Sequence, residues 1–144
     1  MAFCERLSEQ LAVVAVIPPA AYAGATNSNI VTMTFHRRAL FVMSTGVNPT
    51  GILVNIQENA ALAFTAGTAT ILTRAATACT AANSQYLFEV TAEAMGLNMQ
   101  YLRAQVTPSG GGHYISLVAL ADVVRYHPAS DYDLATVVSI QVHI

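Results

Sequence analysis

The sequence has no lysine and no tryptophan, and charged residues make up only 10 % of its 144 positions. Soluble domains ordinarily carry about a quarter of their residues as charged side chains. A surface this poor in charge cannot be conventionally solvated, so something else must cover it. The cations are Arg6, Arg37, Arg38, Arg74, Arg103 and Arg125, scattered along a chain of formal net charge −2. No basic stripe results of the kind that neutralises a run of phosphates, which argues against nucleic acid as a partner. The two cysteines, Cys4 and Cys79, have neither CxxC spacing nor a neighbouring histidine. Two cysteines could pair with each other, but free thiols are the plainer reading, in keeping with an intracellular site of folding. Every apolar run is cut by Pro, Gly, Asn or a charge before eighteen residues, so no transmembrane helix and no membrane partner are expected. Glu5, Arg6 and Glu9 occupy the place of a basic leader region, which reads against a secretory signal.

What the chain does have is apolar residues, 54 % of the total. Its length suits one domain with a real core, needing no disulfide or metal. The most informative stretch is 100–124. Tyr101, Arg103, Gln105 and Thr107 alternate with Leu102, Ala104 and Val106, the period of a half-buried strand. Pro108, Ser109 and Gly110 to Gly112 break the pattern, and the run from His113 to Val124 resumes it with apolar residues on both faces. These features predict a β-hairpin whose return strand is central and covered on each side.

Earlier in the chain, residues 1–10 read as a short helix or arm and Leu11 to Ile17 as a strand ended by Pro18-Pro19. Residues 18–29, rich in Ala, Asn and Ser, read as a loop or surface arm. Strands are expected over Ile30 to His36, Ala39 to Ser44, Ile52 to Glu58 and Gln85 to Thr91, with a loosely packed excursion of short strands across residues 60–82. Short strands separated by turn signals, with no helix-length periodic segment in the body, mean an all-β fold, a β-sandwich or jelly roll with extended N- and C-terminal arms. The division is an arm over 1–15, a sandwich core over 16–128, and a linker with a strand arm over 129–144. In that last arm Leu134, Val138, Ile140 and Val142 share one apolar face. Left bare, such a strand invites aggregation, so it needs a covering partner, and the linker-like HPASDYD before it favours one on a neighbouring chain.

The stretch from Ser28 to Gly46 with its ALFVMS strand, then GILVNIQE, QYLRAQVT, a glycine turn and an ending in RYHP resembles small β-sandwich virion proteins encoded among tailed-bacteriophage structural genes. The similar residues are Val54, Ile56, Gln57 and Glu58 in one strand, Tyr101, Leu102 and Arg103 in another, and Arg125, Tyr126 and Pro128 at the end. The resemblance covers roughly residues 16 to 128. It implies a head decoration or cement protein that binds the major capsid protein and sits on the capsid's outer surface after assembly in the host cytoplasm. Self-association as a homotrimer or homodimer accompanies that reading.

No residue set reads as a catalytic or cofactor site, so no enzyme activity and no cofactor are expected. His36, His113, His127 and His143 lack any HxH or HExxH spacing, which makes surface or hydrogen-bonded histidines the plain reading over a metal site. Glu58, Glu89 and Glu93 lie on strands or at their ends, and nothing in the pattern makes two carboxylates converge as glycosidases require. The turn from Ser109 to Gly112 has no lysine and no following helix to make a phosphate cradle. Arg103, beside Tyr101, reads as a structural arginine pairing with Glu58 across strands. Arg37 and Arg38, with Leu134, Val138, Ile140 and Val142, are the candidates for contact with partners. Two competing functions are a receptor- or carbohydrate-binding β-sandwich module and a small β-barrel enzyme. The first would be expected to carry aromatic platforms, yet the chain has no Trp and its tyrosines are dispersed.

Overall fold

The computed structural model describes residues 10–47 and 50–122, together with Leu134 and Val137. Within them lie β1 (Leu11–Tyr22), β2 (Thr26–Asn27), β3 (Val31–Thr32), β4 (Arg38–Thr45), β5 (Ile52–Asn59), β6 (Ala69–Arg74), β7 (Gln85–Thr91), β8 (Tyr101–Pro108) and β9 (His113–Asp122). The first sheet has the order β1-β9-β4-β7; the second has β2-β8-β5-β6, with β3 also on β8. All pairs are antiparallel. Because β2 and β3 share one position, the pairs β5·β6, β4·β7, β3·β8 and β1·β9 nest inside one another as a single folded ribbon. That ribbon rolls up so that β9 also meets β4 and β8 also meets β5. This is a β-sandwich of jelly-roll order.

Period-two patterning decides which side chains go inside. Phe41 and Met43 of β4, Val54 and Ile56 of β5, Leu102 of β8 and Leu117 of β9 are wholly buried between the sheets. Each is worth about 1.5–3 kcal/mol relative to exposure, which makes this layer the main source of stability. The same core includes Cys79, a free thiol with 0 % exposure.

Three expectations change. The stretch from Tyr101 to Asp122 is not a hairpin: β8 belongs to the second sheet and β9 to the first, so the glycine turn carries the chain from one layer to the other. Gly110 and Gly112, at φ 105° and 61°, make that arch, and Ser109 ties it down by donating from N and Oγ to the Gly51 carbonyl. The expectation that β9 is a central strand does hold, since it lies between β1 and β4.

The first strand also does not stop at the prolines. It runs to Tyr22 with a register shift between Ile17 and Ala20, which an edge strand tolerates because no ladder donor is missed on its open side. It begins at Leu11 and buries Ala12, Val14 and Ala15, inside the span assigned to the N-terminal arm. Third, the strand expected over Ile30 to His36 shrinks to Val31–Thr32, followed by a 3-10 turn at Met33–Phe35 closed by His36 N–H donating to the Met33 carbonyl. That turn is where the chain passes from the second sheet into the first.

Candidate interaction surface

The outer faces of the two sheets differ sharply in chemistry. On the first sheet, the register lines up Val16, Val118, Val42 and Leu87 in one row across all four strands. The next row is Val13, Leu120, Leu40 and Glu89. Leu87 is 63 % exposed and Val118 39 %, and Tyr114 on the same face is 63 % exposed. Strands β4 and β9 are therefore apolar on both faces, as in sheets covered on both sides.

The second sheet presents uncharged polar groups instead. Gln105 Nε2 donates to Asn27 Oδ1 at 3.2 Å, Gln57 Nε2 to Gln105 Oε1 at 3.4 Å, and Thr73 Oγ1 to Asn55 Oδ1 at 3.0 Å. Arg103 joins this row, its Nε donating to Gln57 Oε1 at 2.8 Å while its guanidinium stacks 4.5 Å from the Phe64 ring centroid. Tyr101, half-buried, ends the same outward set opposite Asn59.

Glu58 is not its partner. Arg103 stands opposite Gln57, and Glu58 opposite Leu102, so Glu58 points inward while Arg103 points out. With 4 % exposure, the Glu58 carboxylate accepts from Gly96 N–H at 3.0 Å and fixes the loop before β8. Glu89 lies on the outer face of the other sheet, so these acids do not converge.

Arg37 and Arg38 come together with residues distant in sequence. Both backbone N–H groups donate to Asp122 Oδ1, at 2.8 and 2.7 Å, and His36 Nδ1 lies 2.6 Å from the Asp122 carbonyl. The Arg38 side chain lies 3.9 Å from Glu89, both largely exposed, a geometry worth little in water. Leu11, Leu40 and Leu120 complete a shallow cavity of about 370 Å³ with these groups. His113 is buried and faces Thr50 Oγ1 at 3.0 Å. Among the described residues no three His, Cys, Asp or Glu side chains group as metal ligands. Burial pushes the Cys79 thiol above the ordinary range, with Arg74 opposing, so it is protonated at neutral pH.

Of the tail candidates, Leu134 lies against the chain's own sandwich, its N–H donating to the Val13 carbonyl at 2.8 Å. Val138, Ile140 and Val142 lie outside the described residues, as do Cys4, His127 and His143. Sequence reasoning missed Leu87, Val42 and Leu40 as surface residues. The signal was present, since the apolar alternation of β4 leaves Leu40 and Val42 facing away from Phe41 and Met43.

No family model and no curated protein matches the sequence. Among solved structures, the chain is similar to one in the structure of infectious bursal disease virus Gx strain, with 15 % identity and a TM-score of 0.31. The match covers 83 % of this chain and 33 % of that one, so the present chain spans about a third of its neighbour's length.

Proposed function

We propose that the chain is a structural protein of a virus particle, a decoration or cement protein that docks on the major capsid protein through the outer face of its first sheet. The observation that carries this reading is the row from Val16 through Val118 and Val42 to Leu87, an apolar surface crossing all four strands with two members well exposed. Monomeric soluble proteins rarely leave such patches bare, and interface cores are depleted in Lys, Glu and Asp just as this chain is. The resemblance of the GILVNIQE, QYLRAQVT and RYHP motifs to phage structural proteins supplies the class of partner. Because jelly rolls host many functions, the fold itself does not choose between them.

On this reading the protein works by burying apolar area across a lattice of repeated sites on the capsid's outer surface, as a self-associating dimer or trimer, without chemistry or cofactor. It joins the virion after assembly in the host cytoplasm. Mixing the purified protein with undecorated capsids should give saturable, stoichiometric binding and a higher shell melting temperature. A ligand specific to the assembled state stabilises it by mass action, about 2.7 kcal/mol per site at a hundredfold excess over Kd. Absence of binding to shells would overturn the proposal.

The amide row on the second sheet favours a second reading, a receptor- or carbohydrate-binding module. Asn27, Asn55, Gln57 and Gln105 offer paired donors and acceptors without charge. Glycan binding lost on Gln57→Ala, with no affinity for shells, would select it.

A further inference from the structure

The first sheet ends on β7, and no described strand lies beyond it. The other described edges are guarded. On β1, Val16 N–H donates to Asn29 Oδ1 at 3.2 Å, the Val13 carbonyl accepts from Leu134 N–H, and Pro18 and Pro19 have no N–H to offer. β6 shifts register against β5 between Ile56 and Gln57, and the edge beside β8 is divided between the two-residue strands β2 and β3. β7 has none of these devices: its seven residues contain no Pro or Gly and pair with β4 from end to end without a shift.

Two bonds just outside the strand show which backbone groups face the open side. Thr45 N–H donates to the Ser84 carbonyl at 2.9 Å and Ala92 N–H to the Arg37 carbonyl at 2.8 Å, continuing the β4–β7 register at either end. Hydrogen-bonded pairs alternate along an antiparallel ladder, so Tyr86, Phe88 and Val90 turn their backbone groups toward β4. Gln85, Leu87, Glu89 and Thr91 turn theirs away from it. The side chains of Gln85, Leu87 and Glu89 are exposed on the outer face of the sheet.

We propose that β7 pairs antiparallel with β7 of a second copy across a twofold axis at Leu87. In that register Leu87 meets its own counterpart, and Gln85 of each copy meets Glu89 of the other, so each carboxylate faces an amide that can donate to it. Moving the axis to Glu89 would set two carboxylates face to face. Moving it by one residue either way would set Leu87 against Glu89 or Gln85. Of the registers that pair these backbone groups, the one centred on Leu87 therefore matches apolar to apolar and carboxylate to donor. It supplies about six backbone hydrogen bonds over the span from Gln85 to Glu89. An isologous pair closes on itself, so the assembly is a dimer and not a trimer. The apolar row from Val16 to Leu87 stays open and continues into the row of the second copy. For the role of that doubled face the inference rests on the capsid reading, whereas the pairing itself rests on the strand.

Sedimentation equilibrium of the full chain tests this with no shells present, so its failure and the failure of the capsid reading are separate results. The wild type should be a dimer in reversible exchange with monomer at micromolar concentration. Gln85→Glu sets like charges opposite each other at both symmetric positions and should weaken the dimer about three- to thirtyfold, whereas Gln85→Lys should tighten it by a similar factor. Adding Glu89→Gln to Gln85→Glu restores the carboxylate–amide pair and should return Kd to within about threefold of wild type, a rescue that damage to the fold would not give. Both positions are exposed, so all three variants should keep the wild-type β circular dichroism. A chain monomeric at every soluble concentration, a trimer, or a dimer indifferent to these charges would refute the pairing.

Discussion

Asn59 is the residue whose removal the structure prices most clearly. It closes β5 with 1 % exposure, and all three of its amide contacts go to the loop that follows. Its Nδ2 donates to the Ala66 carbonyl and to Thr68 Oγ1, both at 2.8 Å, and its Oδ1 accepts from Ala61 N–H at 2.7 Å. This loop also holds Phe64, buried beneath the Arg103 guanidinium. At about 0.5–1.5 kcal/mol net for each neutral hydrogen bond, Asn59→Ala loses about 1.5–4.5 kcal/mol. Ala61, Leu62 and Gly67 are exposed, so water can reach the freed groups if the loop relaxes, which places the expected loss near the middle, about 2–3 kcal/mol. For a domain of this size that lowers Tm by roughly 4–12 °C. Asn59→Asp keeps the acceptor for Ala61 but turns a second oxygen toward the Ala66 carbonyl in a buried site, so it should be at least as damaging. Denaturant titrations of both variants are the assay. A loss below about 0.5 kcal/mol for the alanine variant would show that the loop is not held by this amide and would refute the reasoning.

Three further outcomes are expected. Leu87→Asp, on an exposed outward position, should change stability by no more than about 0.5 kcal/mol while weakening shell binding at least about tenfold, which titration calorimetry of fold and partner would separate. Cys79 should resist thiol reagents in the native state at neutral pH and react at once in denaturant. Its raised pKa also means that stability holds below the ordinary thiol range and falls as alkaline pH climbs above it, which pH-dependent melts would show. Gly112→Ala, at φ 61° with open space around it, should cost about 1–2 kcal/mol from backbone strain alone, whereas Gly111→Ala, with the same open space and no positive φ, should lie within about 0.5 kcal/mol of wild type by melting.

The alternation of Leu102, Ala104 and Val106 against Tyr101, Arg103 and Gln105 was legible because period two is a local property, and the structure keeps it residue for residue. The same holds for β5 and β7. What periodicity cannot say is which sheet a strand joins. A glycine turn after Pro108 serves a hairpin or an arch equally well, so β8 and β9 were given to one sheet although they face each other across the core. The Glu58–Arg103 pair failed for a related reason: parity within each strand was right, but the register between them puts Gln57 opposite Arg103. Prolines misled at β1 because their cost depends on whether a strand has a neighbour on that side, a tertiary fact. The apolar outer face was half legible. Return-strand residues such as Val118 and Leu120 marked it, but their alignment with Val42 and Leu87 exists only once β9 is laid beside β4.

The nested ribbon also fixes an order of events. β5 and β6 are separated by a single loop and can pair as soon as both exist, whereas Leu11 waits for Asp122 before its ladder can form. During synthesis the first sheet is thus left without β9, one of its two inner strands, until nearly the whole sandwich has emerged, and β4 and β1 meanwhile present open edges beside apolar faces. Pairings so distant in sequence close slowly and leave intermediates prone to association. Yield of soluble protein should therefore depend on translation speed and temperature more steeply than the stability of the finished fold would suggest.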